Sequence, residues 1–89
     1  MIEVGEFKYS IIENYRDCFD KEEFLNLYTE YFNGFDYIIG DYAYNKLRLK
    51  GFYEDGNKKA KDMNKISYKD KYLENNCAYK CRYFILKKI

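Results

Sequence analysis

Residues 19–34 contain the start, the apolar face and the end of one helix. Asp20 is placed to accept hydrogen bonds from the first free backbone N–H groups, and Glu23 stands at the capping-box position. Phe19 and Phe24 flank this cap as a hydrophobic staple. Between the cap and Gly34, which supplies a left-handed stop, the apolar side chains recur at helical spacing: Phe24, Leu27, Tyr28, Tyr31 and Phe32. The pattern predicts one amphipathic helix between Asp20 and Gly34.

Short alternating or apolar runs predict β-strands on both sides of this helix. Residues 2–4 and 6–15 indicate a hairpin or two edge strands. Residues 35–42 indicate a central strand, and residues 47–53 indicate a strand with one face exposed to solvent. A second capping box at Ser67 begins a helix that ends near Asn76, and residues 82–87 form the last strand. The polar stretch 54–65 is typical of a flexible loop. The sequence therefore predicts a single compact α+β domain, residues 1–89, with a mixed or antiparallel sheet and two helices in the order ββαββαβ.

The residue types that the chain lacks exclude several classes of function. The sequence has no histidine, so serine triads and two-His metal motifs are ruled out, and the commonest general base near neutral pH is missing. Its five glycines are scattered and form no phosphate-binding loop. We therefore expect no enzymatic activity, no catalytic residue, no metal and no cofactor. No run approaches the ~20 apolar residues of a membrane span, and the acidic start lacks a signal-peptide core, so we expect a cytoplasmic protein without a membrane partner.

Three cysteines are the remaining candidates for chemistry. An odd number of cysteines in a chain without an export signal favours reduced thiols over a disulfide framework. Cys77 and Cys81 have the spacing of a redox pair, and two basic residues flank the second. Even with Cys18 they supply one thiol too few for the usual zinc site. We expect Cys77 and Cys81 to be small core residues, with a reactive redox pair or a zinc site shared in a dimer as the alternatives.

The charge is unevenly distributed along the chain, although the net charge is only +1. Residues 1–45 carry three basic against ten acidic side chains, whereas residues 46–89 carry thirteen basic against five acidic ones. Such asymmetry indicates an anionic partner for the basic half. The alternative is that the two halves neutralise each other after folding.

A basic and aromatic stretch is the best candidate for a binding surface. Arg48, Lys50 and Phe52 have the same parity on one predicted strand, so we expect them to point outward from the same face. Nucleic-acid platforms combine such residues, because Lys and Arg neutralise phosphates while bases stack on rings. The full set of candidate binding residues also includes Tyr42, Tyr44 and Arg16. The alternative is that the basic side chains of this strand are simply exposed to solvent, while the ring of Phe52 folds back on the core.

Two aspartates bracket the predicted central strand. Asp36 and Asp41 lie five residues apart, so they project to opposite faces and form no natural carboxylate dyad. Asp41 opens the turn that follows, and we expect its side chain to bond backbone groups of that turn. A salt bridge from Asp41 to Arg48 or Arg16 is the alternative.

Four stretches of the chain resemble the YutD-like family, a family of small proteins of low-GC Gram-positive bacteria. They are Glu13-Asn14-Tyr15-Arg16-Asp17, residues 35–42, Leu47-Arg48-Leu49-Lys50-Gly51-Phe52, and Cys77…Cys81-x-Tyr83-Phe84. The family pattern has Trp at position 42 and Gly at positions 43, 45 and 80, where this chain has Tyr42, Ala43, Asn45 and Lys80. Asn45 tolerates a positive φ, whereas Ala43 and Lys80 do so poorly, so we expect their loops to bend differently. The resemblance implies a compact α+β fold and brings no established activity or catalytic residue.

Three classes of function remain after these exclusions. The charge distribution and the grouping on one strand favour a non-enzymatic binding module for an anionic partner, with RNA as the expected partner. The alternative is a protein-interaction or assembly domain that uses exposed tyrosines and an open strand edge. A thiol redox protein or small enzyme comes third.

Overall fold

Five strands and two helices are present in a computed structural model that describes residues 1–76 and 81–89. In chain order they are β1 (Ile2–Val4), β2 (Phe7–Tyr15), α1 (Lys21–Leu27), β3 (Tyr37–Ala43), β4 (Lys46–Phe52), α2 (Lys69–Asn76) and β5 (Tyr83–Lys88). Short 3₁₀ turns follow α1 at Glu30–Gly34 and precede α2 at Asp62–Asn64 and Ile66–Tyr68. The predicted α+β class and the order ββαββαβ are confirmed. None of the helices described is long and apolar enough to cross a membrane.

The strands form one sheet in the order β1-β2-β5-β3-β4, and every neighbouring pair is antiparallel. The sheet is therefore antiparallel rather than mixed. β1 and β2 form the predicted hairpin, whose two-residue turn begins at Gly5 with a φ of 59°. The predicted central strand, β3, lies in the interior between β5 and β4, and β4 forms an edge of the sheet.

Alternate residues of the strands supply two hydrophobic clusters. Ile38 of β3 packs in one cluster with Phe24 of α1, whereas its neighbour Ile39 packs in the other with Tyr72 of α2. Because successive side chains of a strand point to opposite faces, the two helices cover opposite sides of the sheet. We call these the α1 side and the α2 side.

Two glycines on β3 and β4 allow rings on the α1 side to lie directly against the sheet. A Cβ atom on Gly40 would overlap the ring of Phe84, and one on Gly51 would overlap the ring of Phe35. Glycine is required at both positions for space, since a larger residue would force the packed rings to move.

The helix predicted between Asp20 and Gly34 is shorter than expected. Its start is confirmed, because the Asp20 carboxylate accepts a hydrogen bond from a first-turn backbone N–H at 3.2 Å. The helix ends at Leu27, since Tyr28 has an extended backbone with a ψ of 133°, and the apolar stripe continues only as a 3₁₀ turn. The hydroxyl of Tyr28 lies 3.0 Å from that of Tyr9 on β2. The helix therefore ends at the residue whose side chain contacts the sheet, although the apolar spacing alone favours a longer helix.

The segment predicted as a flexible loop, residues 54–65, has fixed contacts with the sheet. The Asp36 carboxylate accepts hydrogen bonds from the Glu54 backbone N–H at 2.9 Å and from Asn57 Nδ2 at 3.0 Å. Although burial opposes the shift, these hydrogen bonds and the charge of Lys88 hold the pKa of Asp36 below its usual value. Asp36 therefore anchors the start of this segment.

Candidate binding surface

β4 places three of the candidate binding residues on the same side of the sheet, as the alternation predicted. Arg48, Lys50 and Phe52 lie opposite Asp41, Ile39 and Tyr37 of β3. This is the α2 side, and the helix covers part of it. Phe52 is 0% exposed, with its ring centroid 5.4 Å from that of Tyr72. The expectation that the three side chains point outward together is wrong for Phe52, because α2 already covers the ring on which a base would stack.

Arg48 is bound to a buried carboxylate. Asp41 is 0% exposed, and its two carboxylate oxygens accept hydrogen bonds from Arg48 Nη2 at 2.8 Å and from Arg48 Nε at 3.2 Å. The expectation that Asp41 bonds turn backbone is wrong, and its alternative, an ion pair with Arg48, is confirmed. Burial raises the pKa of the Asp41 carboxyl, while the hydrogen bonds from Arg48 lower it. The bidentate geometry fixes the guanidinium in place, so Arg48 is first of all a structural residue.

Two lysines of β4 remain surface cations. The Lys50 ammonium lies 5.8 Å from the ring centroid of Phe52 and 6.0 Å from that of Tyr72, so buried rings lie beneath an exposed charge. Lys46 is exposed and has the same parity on the strand. Within the described residues, no carboxylate forms an ion pair with either lysine. Lys46 and Lys50 are therefore the cations of β4 that a partner can reach without displacing a bound carboxylate.

The other three candidate residues are not brought to this side as a group. Tyr42 is 8% exposed and packs on the α1 side, where the Arg82 guanidinium lies 4.1 Å from its ring centroid. Arg16 follows β2, which is separated from β4 by the two strands β5 and β3, and it lies over the ring of Tyr15. Tyr44 is 98% exposed at the turn between β3 and β4. The six candidates therefore do not form a single site.

The turn between β3 and β4 has an uncommon backbone. Tyr44 and Asn45 have φ values of 53° and 64°, the left-handed pair of a type I′ turn. Asn adopts this conformation readily, whereas a tyrosine does so at a cost. Ala43, in contrast, has no positive φ, so the turn does not need the glycine that the family pattern has there.

The acidic residues of α1 and the lysines of β4 and α2 lie on opposite sides of the sheet. The acidic residues of α1 lie on the α1 side, whereas the α2 side carries Lys46 and Lys50 of β4 and Lys69 and Lys71 of α2. We call these four lysines the basic face. The ion pairs found within residues 1–76 and 81–89 are Lys8–Glu3, Arg48–Asp41, Lys65–Asp62 and Lys69–Asp70. Of these, just the Arg48–Asp41 pair joins the acidic half to the basic half, so ion pairing within the described chain does not neutralise the two halves.

The sequence predicts that Cys77 and Cys81 are reduced core thiols. Cys18 is buried in the cluster on the α1 side, and burial raises the pKa of its thiol, which makes it a poor nucleophile. Cys81 is disulfide-bonded, which differs from the expectation of reduced thiols. Cys77 and Lys80 lie outside the described residues. In the part of the chain that is described, no group of three or more metal-ligating side chains is placed to hold a metal ion.

Comparisons with known proteins agree with the motifs noted in the sequence. The family model described as "Putative antitoxin YutD-like" matches residues 3–87. The chain belongs to the YutD-like family. It is 42% identical over 89 residues to "Putative antitoxin YutD" of Bacillus subtilis (strain 168). The matched region covers 100% of this chain and 98% of that protein. The solution NMR structure of protein yutD from B. subtilis matches with a TM-score of 0.83 at 42% identity, covering 100% of this chain and 81% of that one.

A groove lies on the α1 side of this YutD-like domain, between the β1–β2 turn and the end of α1. Its volume is about 420 Å³, and residues 4–7, 28–30 and 33 line it. The polar atoms at its base bind one another, since the Tyr28 hydroxyl donates to Asn33 Oδ1 at 2.5 Å and contacts the Tyr9 hydroxyl. Among the described residues, no buried polar side-chain atom is left without a hydrogen-bond partner.

The burial of Phe52 in this YutD-like domain confirms the alternative drawn from the sequence, in which the ring folds back on the core. In the predicted second helix, Tyr68, Tyr72 and Leu73 recur at helical spacing, so their side chains need an apolar surface to pack against. With the first helix on one side of the sheet, those rings need the other side, which is the side that carries Phe52.

Proposed function

We propose that this YutD-like chain is a non-catalytic binding module of the cytoplasm, and that its basic face contacts an acidic surface of a partner protein. The family description "Putative antitoxin YutD-like" supports a protein partner, because a binding module that acts as an antitoxin can act by binding a toxin protein. The sequence without histidine, the buried Cys18 thiol and the internally bonded groove favour binding over catalysis.

The observation that carries the proposal is a pair of exposed lysines on β4 that form no ion pair within the described residues. Lys46 and Lys50 are exposed without a carboxylate partner in the described chain, and Lys71 is exposed on the helix beside them. Charges arranged in this way accelerate encounter with a surface of opposite sign and disfavour partners of like sign. The contact should therefore weaken as salt is added.

The same surface supports a protein partner better than RNA. Base recognition in single strands needs exposed rings beside the cations. Phe52 is covered by α2 and Tyr42 packs on the opposite side, so neither ring accompanies the basic face. Tyr44 is exposed, and a tyrosine held on a tight turn is well suited to anchor a protein interface.

Crosslinking in cells with a charge-reversed pair of variants tests the proposal. The tagged wild-type chain should capture a protein in stoichiometric amount, unaffected by ribonuclease treatment. The Lys46→Glu/Lys50→Glu variant should lose that protein, because both reachable charges of β4 then repel an acidic surface.

The matched control is Glu22→Lys/Glu30→Lys, which reverses two exposed charges on the α1 side. It should capture the same protein as the wild-type chain. Equal capture by both variants, loss of capture in the control alone, or recovery that depends on RNA would each contradict the proposal.

A further inference from the structure

The outer edge of β4 presents backbone groups that the sheet does not use. On β3, the Tyr42 N–H donates to Arg82 O, which continues the pairing of Gly40 with Phe84, so even-numbered residues of β3 bond toward β5. Odd-numbered residues of β3 therefore bond toward β4, where their partners include Lys46, Arg48 and Lys50. It follows that the N–H and C=O groups of Leu47, Leu49 and Gly51 point away from β3.

The chain already uses this edge at one end. The Tyr53 N–H donates to Asn64 O at 2.7 Å, and the Tyr53 carbonyl accepts from Ile66 N–H at 2.8 Å, which forms a parallel bridge. Gly51 is buried close to this bridge. Within residues 1–76 and 81–89, no backbone group bonds Leu47 or Leu49 on the outer side. The open stretch of the edge is therefore centred on these two leucines.

We propose that this open edge takes up a strand of the partner protein in which acidic and apolar residues alternate. The proposal rests on the proposed function and specifies how the partner is held. On the α2 side, the added strand would meet Lys46 and Lys50, which favour carboxylates directly opposite. On the α1 side it would meet Leu47 and Leu49, which are half-buried and favour apolar neighbours. Backbone bonds supply affinity in such strand addition, and the alternate side chains supply specificity.

A second copy of the chain fits this edge poorly. If two β4 edges paired in antiparallel fashion about a two-fold axis, the even-numbered residues of both strands would face one another on the same side. Lys46 of one copy would then lie opposite Lys50 of the other, and like charges directly opposite destabilise a strand pair. Lysines on an exposed edge are also a common protection against self-association. The charge pattern therefore selects a partner that differs from this chain.

A synthetic strand tests the edge without knowledge of the partner. The probe is a capped peptide that alternates Glu with Val over the length of β4, added at millimolar concentration to the isotope-labelled full chain. We expect amide shifts centred on Leu47 and Leu49, with slower hydrogen exchange at those two N–H groups. A peptide that alternates Lys with Val should bind about tenfold more weakly or worse.

Two variants at one position separate the backbone contact from the side-chain contact. Leu49→Pro removes an N–H that the sheet does not use, which an edge strand tolerates, and it should abolish binding of the Glu peptide. Leu49→Ala loses the same leucine but keeps the N–H, and it should still bind. Should Leu49→Pro fail to fold, Lys46→Glu/Lys50→Glu provides the test, because it should prefer the Lys peptide to the Glu peptide.

Several results would overturn the inference: no binding of the Glu peptide, shifts that map away from β4, equal response to both peptides, or equal binding by the two Leu49 variants that fold. If these appear while capture in cells still depends on Lys46 and Lys50, the proposed function stands and the strand-addition inference alone fails.

Discussion

Replacing Arg48 with methionine should destabilise the domain by leaving the Asp41 carboxylate buried without its cation. Asp41 is 0% exposed and receives two hydrogen bonds from the guanidinium, at 2.8 Å and 3.2 Å. Removing one partner of a fully buried pair costs about 3–5 kcal/mol. Because 43% of the Arg48 side chain is exposed, water reaches the pair, and we expect a smaller loss of about 2–4 kcal/mol. A small domain has a total stability of roughly 5–10 kcal/mol, so this loss is large.

The loss in the Arg48→Met variant should also depend on pH. Without Arg48, burial is the largest influence on the pKa of Asp41 and raises it in the folded state above the unfolded value, against the smaller effect of a backbone hydrogen bond. The folded state then holds the proton more tightly, so the deficit is small below about pH 4 and grows as the pH rises toward the folded-state pKa. Adding Asp41→Asn to Arg48→Met should remove this pH dependence, because no carboxylate remains at that position.

Urea unfolding followed by far-ultraviolet circular dichroism at several pH values measures both effects. Lys50→Met is the matched control, since it removes an exposed cation from the same strand and side, and it should change stability by less than about 1 kcal/mol. If Arg48→Met is no less stable than this control, or if its deficit is the same at every pH, the structural role assigned to Arg48 is wrong.

Three further predictions address packing, titration and the turn. Gly40→Ala should lower the unfolding free energy by about 2 kcal/mol or more, because its Cβ would overlap the Phe84 ring; an unchanged urea midpoint would contradict this. Burial and the hydrogen bond to Glu54 raise the pKa of Tyr37 to about 12. The protonated Tyr37 hydroxyl therefore stabilises the fold fully below about pH 10. This stabilisation is lost as the pH rises toward 12, by about 1.4 kcal/mol per pH unit. Tyr37→Phe should show a shallower alkaline decline, and equal slopes would refute the assignment. Tyr44→Asn should raise the melting temperature, with a gain of about 0.5–1 kcal/mol, because asparagine suits the left-handed turn position; a lower melting temperature would show that Tyr44 packs usefully in the fold.

Local sequence patterns correctly predicted the helices and strands wherever the tertiary contacts favour the same local structure. The Asp20 cap, the alternation of residues 47–53 and the glycine at the β1–β2 turn each act through neighbours in sequence, and the structure confirms the elements they predicted. The helix after Leu27 is the exception. Its apolar spacing is helical, yet Tyr28 leaves the helix where its hydroxyl meets Tyr9 across the fold, a contact that no local pattern records.

The candidate site could be predicted only in part, for a related reason. Parity along β4 correctly grouped Arg48, Lys50 and Phe52 on one side of the sheet. Parity does not show what covers that side, and α2 reaches it from a distant part of the sequence. The outcome for each residue therefore depended on its partner: Phe52 is covered by Tyr72, Arg48 is bound by Asp41, and Lys50 remains exposed.

By itself, the sequence determined the fold class, the family and the side of the sheet on which each strand residue lies, because capping, alternation and motif residues depend on near neighbours. It also determined the unequal charge of the two halves. The tertiary structure alone decided which cations are paired with a carboxylate and which side of the sheet each helix covers. Both depend on how helices and strands that are far apart in the chain pack together, since burial and ion pairing are properties of contacts and not of residue order.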